Sequence, residues 1–599
     1  MELCKRAHFL RFLSMIIGIG AILLTGCLPA EQQDQQVPEP PFVINPEPVV
    51  NTTPIRLSDG RIVGFTPMPD GEVGRSETMN NGKTWSEPIP LHPADGGPNT
   101  PGASVWGKDG RLHLFYLQFR EGRRFLELHH RRSSEDGTTW EKSKIIVPDV
   151  FIGALFDAIC LESGRILVPL HYRFRERKPP TGSNITTVVY SDDNGETWTQ
   201  SSAQITAPCF EGYNGNNFGA CEPRLLVMKD SRIWMLIRTQ TGFLYESFSH
   251  DEGTTWSEAK PSMFYSTNSP GCSVRMNDGR IVVFWNNCEN TTPFEGHGVY
   301  TTRDALHAAI SDDEGQTWRG FREVYMDPYR NSPPPDRGDR GTAYPRAVAT
   351  DDNKILLSSG QGEGRRVQIL LDPEWLYLTS RESDFSDSLN NWSVFKRYLD
   401  GDKVSRMPGC ELIPHPKKTG AKVLHIRRPD EKRPDVAEWN FPSGLSGSVK
   451  LRLMLKKGFS GGAIDLADRF FQPTDVAAVS KRIYHLPINA DGHIVGTKVY
   501  LKPEKWYSLI LRWNIPNGEL VVFIDDKKAG TLENVRSTHL GISYLLLRST
   551  ADKIDRAGFL VESVQAAIAE PVIVKPKEKL EPIRPQDIVP DDILSYRMN

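Results

Sequence analysis

No strongly basic stretch runs through this 599-residue chain, and its formal net charge is only −3. Electrostatics therefore gives no case for nucleic acid as a partner. The eight cysteines include no CxxC pair, and no His-rich cluster accompanies them. That argues against a zinc site, and neither a metal nor another cofactor is expected. The one long apolar run, 12–24, is 13 residues, short for crossing a bilayer. Glycine, proline and tryptophan, by contrast, are abundant, at 49, 44 and 13. Many turns with recurring aromatics favour an all-β chain, and its length favours two or more domains.

The apolar run follows Lys5, Arg6 and Arg11 and ends in Leu24-Thr25-Gly26-Cys27. This pattern reads as a lipoprotein signal peptide over 1–26, with cleavage before Cys27 and lipidation of that cysteine. Leu28 does not match an inner-membrane retention signal, so the expected location is the bacterial cell envelope, lipid-anchored, at the outer membrane. Residues 27–41, rich in Gln, Glu and Pro, read as a tether. Export permits disulfides. Cys209 and Cys221 flank a Gly/Asn-rich loop and could staple it, or could equally be small buried apolar residues.

A repeat dominates residues 42–380. Its first part is Ser/Thr-x-Asp-x-Gly-x-Thr-Trp, ending at Trp85, Trp140, Trp198, Trp256 and Trp318, every 55–62 residues. Asn80 and Glu135 replace the aspartate in the first two copies. Its second part is a turn followed by a short apolar strand, as in SDGRIVGF at 58–65, and occurs six times. Asp-Gly before a β-branched run is a hairpin signal. Each unit suffices for one four-stranded blade, so a six-bladed β-propeller is expected. A strand near 42–50 would close the ring. The box side chains suit local turn bonding and the tryptophan suits packing between blades, so the boxes are structural rather than catalytic. From 383 to 570 the repeat gives way to strand-like segments that resemble a laminin-G or concanavalin-like jelly roll, a β-sandwich. The Pro-rich, charged residues 571–599 read as a disordered tail.

The boxes, with the segment EPRLLVMKDSRIWMLIRT at 222–239, the stretch from Arg303 to Ser311, and Ala343-Tyr344 ahead of the last strand, resemble the sialidase superfamily. The resemblance implies a glycan partner and an exo-acting glycosidase that releases a terminal acidic sugar. Sialidases use a tyrosine nucleophile in place of a carboxylate. The resemblance implies that role for Tyr344, with Glu222 as its base and Arg238 and Arg303 holding the substrate's carboxylate. Arg346, two residues beyond Tyr344 and on the same face of an extended strand, could add positive charge. The first blade departs from the pattern, since VVNTTPIRLSDG places Arg56 at a different offset from the family's first arginine. Asp70 is the match for the acid/base aspartate, with Asp157 as the other choice. His171 and Tyr172 end a blade-three strand near the expected mouth, as substrate contacts or packed aromatics. Two other functions fit these residues: a non-catalytic glycan-binding propeller, and a hydrolase or lyase acting on uronate-containing polysaccharide.

Overall fold

The computed structural model describes residues 37–44, 54–94, 96, 99–120, 125–135, 137–148, 155–173, 184–209, 219–289, 303–332, 341–360, 366–400, 403–431, 433–473 and 479–584. The segment expected to be a signal peptide, Cys27 and most of the expected tether lie outside these residues.

Six antiparallel blades follow one another among the described residues. Their inner strands are Ile55–Arg56, Asn99–Trp106, Ile159–Cys160, Cys221–Val227, Cys272–Arg275 and Arg346–Ala349. Consecutive blades adjoin, and the inner strand of blade 6 lies beside that of blade 1, so the blades form a closed ring. The closing strand is Phe42–Ile44, which pairs with Gln368–Leu370 as the outermost strand of blade 6. An unpaired edge is thereby removed.

Local chemistry explains both halves of the repeat. In the turn between the first two strands, Asp59, Asp230 and Asp278 each accept the backbone N–H of the arginine two residues on, at 3.1–3.2 Å. The second carboxylate oxygen pairs with that arginine's Nε at 2.7–2.8 Å. Glycine supplies the positive φ of this turn at Gly60 and Gly279, whereas Ser231 takes φ 66° in blade 4. In the third to fifth boxes the carboxylate of Asp193, Asp251 or Asp313 accepts the threonine N–H four residues on at 2.8 Å, and its hydroxyl at 2.5–2.6 Å. Asn80 keeps the first of these bonds, at 2.9 Å, and reverses the second by donating from Nδ2 to the Thr84 hydroxyl.

The box tryptophans seal one blade to the previous one. Trp85 donates to Gln368 of blade 6 at 2.9 Å, Trp140 meets Phe65 edge-on at 5.7 Å, and Trp198 meets Phe115 at 5.4 Å. Trp318 packs on Trp234 and Phe264 of blade 4. Arg56 also works at a seam, pairing with Asp351 of blade 6 and donating to Asn277 at 2.7 Å.

The second domain is a β-sandwich that starts at Ser380–Ser383, which pairs with Val564–Ala567. One sheet has eight strands, including Ser446–Leu455, Trp506–Asn514 and Asp555–Glu570; the other has five, including Val436–Gly444 and Ile542–Ser549. Strict alternation along Trp506–Asn514 turns Tyr507, Leu509, Leu511 and Trp513 inward. There they join Trp392, Trp439, Phe441 and Phe559 in a shared core.

The sandwich meets blade 5 through buried charge. Arg406, on a hairpin of Lys396–Asp400 and Lys403–Met407 that lies outside the two sheets, grips Asp304 with Nη1 and Nη2, at 2.5 and 2.9 Å, and packs over the Phe395 ring. Arg469 and Lys481 pair with Glu289 and, against the cost of burial, hold its pKa down at about 2.

Composition misleads for the chain's last part. Residues 571–584 are ordered against the propeller. Ile573–Val574 adds a fifth strand to blade 5, Lys575 pairs with Glu246 at 2.9 Å, and Ile583 donates its N–H to Thr241 at 2.9 Å. Ile573 is wholly buried, and Leu580 and Ile583 pack on the core of blades 4 and 5. Spaced apolar residues, not the overall charge, decide the outcome here. Residues 585–599 lie outside the described part. Cys160, Cys272, Cys288 and Cys410 are free thiols, and Cys209 and Cys221 are both buried.

Candidate active site

Blades 4 and 6 begin alike. Glu222-Pro223-Arg224 and Tyr344-Pro345-Arg346 open their inner strands, and both Glu222 and Tyr344 hold a left-handed backbone, φ 50° and 62°. Non-glycine residues pay roughly 1–3 kcal/mol for such a conformation, and it clusters where surroundings enforce a functional geometry. A residue before proline ordinarily prefers an extended backbone. The departure at both positions turns these two side chains out of the strand's alternation. The regular strand starts only at Arg346, so alternation does not put Arg346 and Tyr344 on one face. They meet instead at a third residue, Phe156 of blade 3, whose ring centroid lies 5.4 Å from that of Tyr344 and 5.3 Å from the Arg346 guanidinium.

Arg238 ends the second strand of blade 4 and joins the centre together. Its Nη1 donates to Glu222 Oε2 at 2.7 Å and to the Tyr344 hydroxyl at 3.3 Å. Its Nε donates to Asn268 Oδ1 at 2.8 Å. The guanidinium is almost fully buried. Burial opposes its charge, but the Glu222 carboxylate prevails and holds its pKa above the usual arginine range. Arg303 donates to the Asn268 carbonyl and lies 5.4 Å above the Tyr344 ring. Its neighbour Asp304 belongs to the seam with Arg406, so Arg303 is not consumed by that acid. Thus Tyr344, Glu222, Arg238 and Arg303 converge.

His171 is buried, and its Nδ1 accepts the Glu222 N–H at 3.1 Å, so it supports the strained backbone of Glu222. Tyr172 is half-exposed, and burial raises its pKa. Asp70 does not join the cluster: it sits exposed in the turn after the second strand of blade 1, and its carboxylate accepts the Glu72 N–H at 3.0 Å. Asp157 lies next to Phe156 and accepts the Leu225 N–H at 2.7 Å. Desolvation raises its pKa, with Arg224 pulling the other way.

Residues 67–357 match the family model of a BNR repeat-like domain. The propeller thus resembles the sialidase/BNR-repeat superfamily. A sialidase of Paraclostridium sordellii is 22% identical over 405 residues, 59% of this chain and 93% of that protein. A sialidase of Clostridium perfringens is 23% identical over 239 residues, 34% of this chain and 59% of that one. A solved structure, a mutant of Trypanosoma rangeli sialidase displaying trans-sialidase activity, is 14% identical, covers 87% of this chain and 91% of its own, and has a TM-score of 0.37.

Phe156, Asn268, Arg224 and Arg366 were not among the residues expected from the sequence alone. Arg224 donates to the carbonyls of Phe156 and Pro345 at 2.6 and 2.9 Å, tying blades 3, 4 and 6 together at the centre. The repeated x-Pro-Arg triplet was a visible signal for Arg224 beside Arg346. Phe156 and Asn268 lie in connections outside the repeat and carry no such mark.

Proposed function

We propose that the central site is a sialidase-like glycoside hydrolase that releases a terminal acidic sugar through Tyr344 as nucleophile. The observation that carries this reading is one arginine nitrogen, Arg238 Nη1, touching both the Glu222 carboxylate and the Tyr344 hydroxyl. A substrate with a carboxylate beside its anomeric carbon would repel a carboxylate nucleophile but not a neutral phenol. Glu222 takes the phenolic proton, Tyr344 Oη bonds the anomeric carbon, and the leaving oxygen is protonated as its bond to that carbon breaks. Water then breaks the tyrosyl–sugar bond and the phenol regains its proton. Arg238, in contact with the hydroxyl, favours the negative charge the oxygen gathers. Arg303 and Arg346 supply further positive charge for the sugar acid. Asp157 suits the proton donor better than Asp70, because burial favours its protonated form.

The decisive experiment follows release of sialic acid, and of other terminal sugar acids, from a glycan panel by the full chain. Tyr344→Phe should abolish release, and Glu222→Gln should lower kcat by about 10²–10⁴-fold. If the wild type and Tyr344→Phe are equally inactive across the panel, the reading fails. We further propose that Cys27 carries the lipid that holds the protein in the cell envelope. Cys27→Ser should then move it from the membrane to the soluble fraction.

A further inference from the structure

Blade 6 brings a second cationic pair, Arg346 and Arg366, to the same centre. Arg346 is 5% exposed, and its Nε and Nη1 have no hydrogen-bond partner among the described residues. Nη1 of Arg366, the residue just before the third strand of blade 6, is likewise buried and unpartnered. The side chains of these two arginines make no hydrogen bond or ion pair among the described residues, unlike the others around Tyr344. Arg238 is neutralised by Glu222, Arg303 is bonded to Asn268, and Arg224 is bonded to two carbonyls with Asp157 close by. Buried guanidinium nitrogens left without partners are costly, and an oxyanion satisfies two at once.

We propose that Arg346 and Arg366 form an anion seat that holds an oxyanion of the bound sugar, a carboxylate or a sulfate ester, beside Tyr344. This deepens the glycosidase reading and rests on it for the identity of the sugar as substrate. The electrostatics agree with the geometry. Burial, then Arg366 and Arg224, push the Arg346 pKa well below its ordinary value. Burial, with Arg224 adding to it and the Tyr344 oxygen opposing, pushes that of Arg366 down to about 10. No carboxylate contributes to either. Arg56 of the first blade is spent on Asp351 and Asn277.

The test is equilibrium titration of the full chain with N-acetylneuraminate, glucuronate, galactose 6-sulfate and neutral galactose. Arg366→Gln should weaken one or more of the charged probes at least tenfold and leave any galactose binding unchanged. Arg366→Lys should recover most of the loss. Added inorganic sulfate should compete with the charged probes in the wild type. Which charged probe responds tells carboxylate from sulfate ester. Unchanged affinity in Arg366→Gln overturns the seat, as does a wild type that binds none of the charged probes. If Arg366→Gln does not fold, competition decides: charged-probe affinity indifferent to sulfate overturns the proposal. Failure of the two readings is separable. Arg366-dependent binding without turnover of any glycan spares the seat and sinks the hydrolase. Turnover abolished by Tyr344→Phe, with KM unchanged in Arg366→Gln, does the reverse.

Discussion

Replacing Arg406 by methionine tests whether the sandwich is a structural partner of the active site or an appended module. The Asp304–Arg406 pair is bidentate, at 2.5 and 2.9 Å, and its side chains are 3% and 0% exposed. Removing the arginine strands a buried carboxylate, which costs about 3–5 kcal/mol. A domain of this size loses roughly 2–4 °C of Tm per kcal/mol, so the expected drop is on the order of 10 °C. Much of that cost is the unpaired charge, not the lost bond. Asp304→Asn/Arg406→Met should therefore be more stable than Arg406→Met alone, with a coupling of about 0.5–3 kcal/mol. Asp304 follows Arg303, and the Arg303 carbonyl accepts the Thr342 N–H at 2.7 Å, two residues from Tyr344. The single variant should thus also raise KM for any substrate of the site. Thermal scans of the wild type, both single variants and the double variant measure the first effect, and steady-state kinetics the second. A loss below about 1 kcal/mol in Arg406→Met, or a double variant worse than the sum of its parts, refutes the reasoning.

Acid should loosen the same seam. Burial holds the His307 pKa down at about 3, against backbone bonds that raise it, while an unfolded histidine titrates near 6.5. The unfolded chain then binds more protons between these values, so stability is intact above pH 6.5 and falls as pH drops, by about 1.4 kcal/mol per unit from this residue. His307→Asn should flatten the slope of denaturation midpoint against pH, and a slope unchanged between pH 6.5 and 5 would contradict the assignment. Asn80→Asp should be close to neutral, within about 0.5 kcal/mol by thermal melt, because the Thr84 hydroxyl that now accepts can instead donate. Deleting residues 571–599 should lower the melting temperature and increase binding of an apolar dye, since it uncovers the edge of blade 5 and the surface under Leu580 and Ile583. Unaltered melting would show the added strand to be dispensable.

Residues whose partners lie a few positions away were readable from the chain alone. The boxes and the Asp-Gly-Arg turns are of this kind, because side chain and bonded amide belong to the same turn. Tyr344, Glu222, Arg238 and Arg303 were legible through the resemblance to sialidases, and the structure brings them together. Phe156 and Asn268 were not, because their importance arises from what blades 3 to 6 place beside them. Asp70 was chosen by its position after a first-blade strand, yet the turn keeps its carboxylate on a local amide. The tail illustrates the limit of composition: Lys575 is charged because it meets Glu246, and Ile573 and Ile583 anchor it.

The closing strand Phe42–Ile44 and its partner Gln368–Leu370 stand more than three hundred residues apart. During synthesis the first blade edge therefore emerges long before the surface it must join. At translation rates of 5–20 residues per second that wait is on the order of tens of seconds. Through it, the growing arc exposes two raw blade edges, and Ile573–Val574, the last strand of the described residues, seals the outside of blade 5 only afterwards. Ring closure is thus a late event in the life of the nascent chain, and one that any factor holding the amino terminus could delay until the blades are complete.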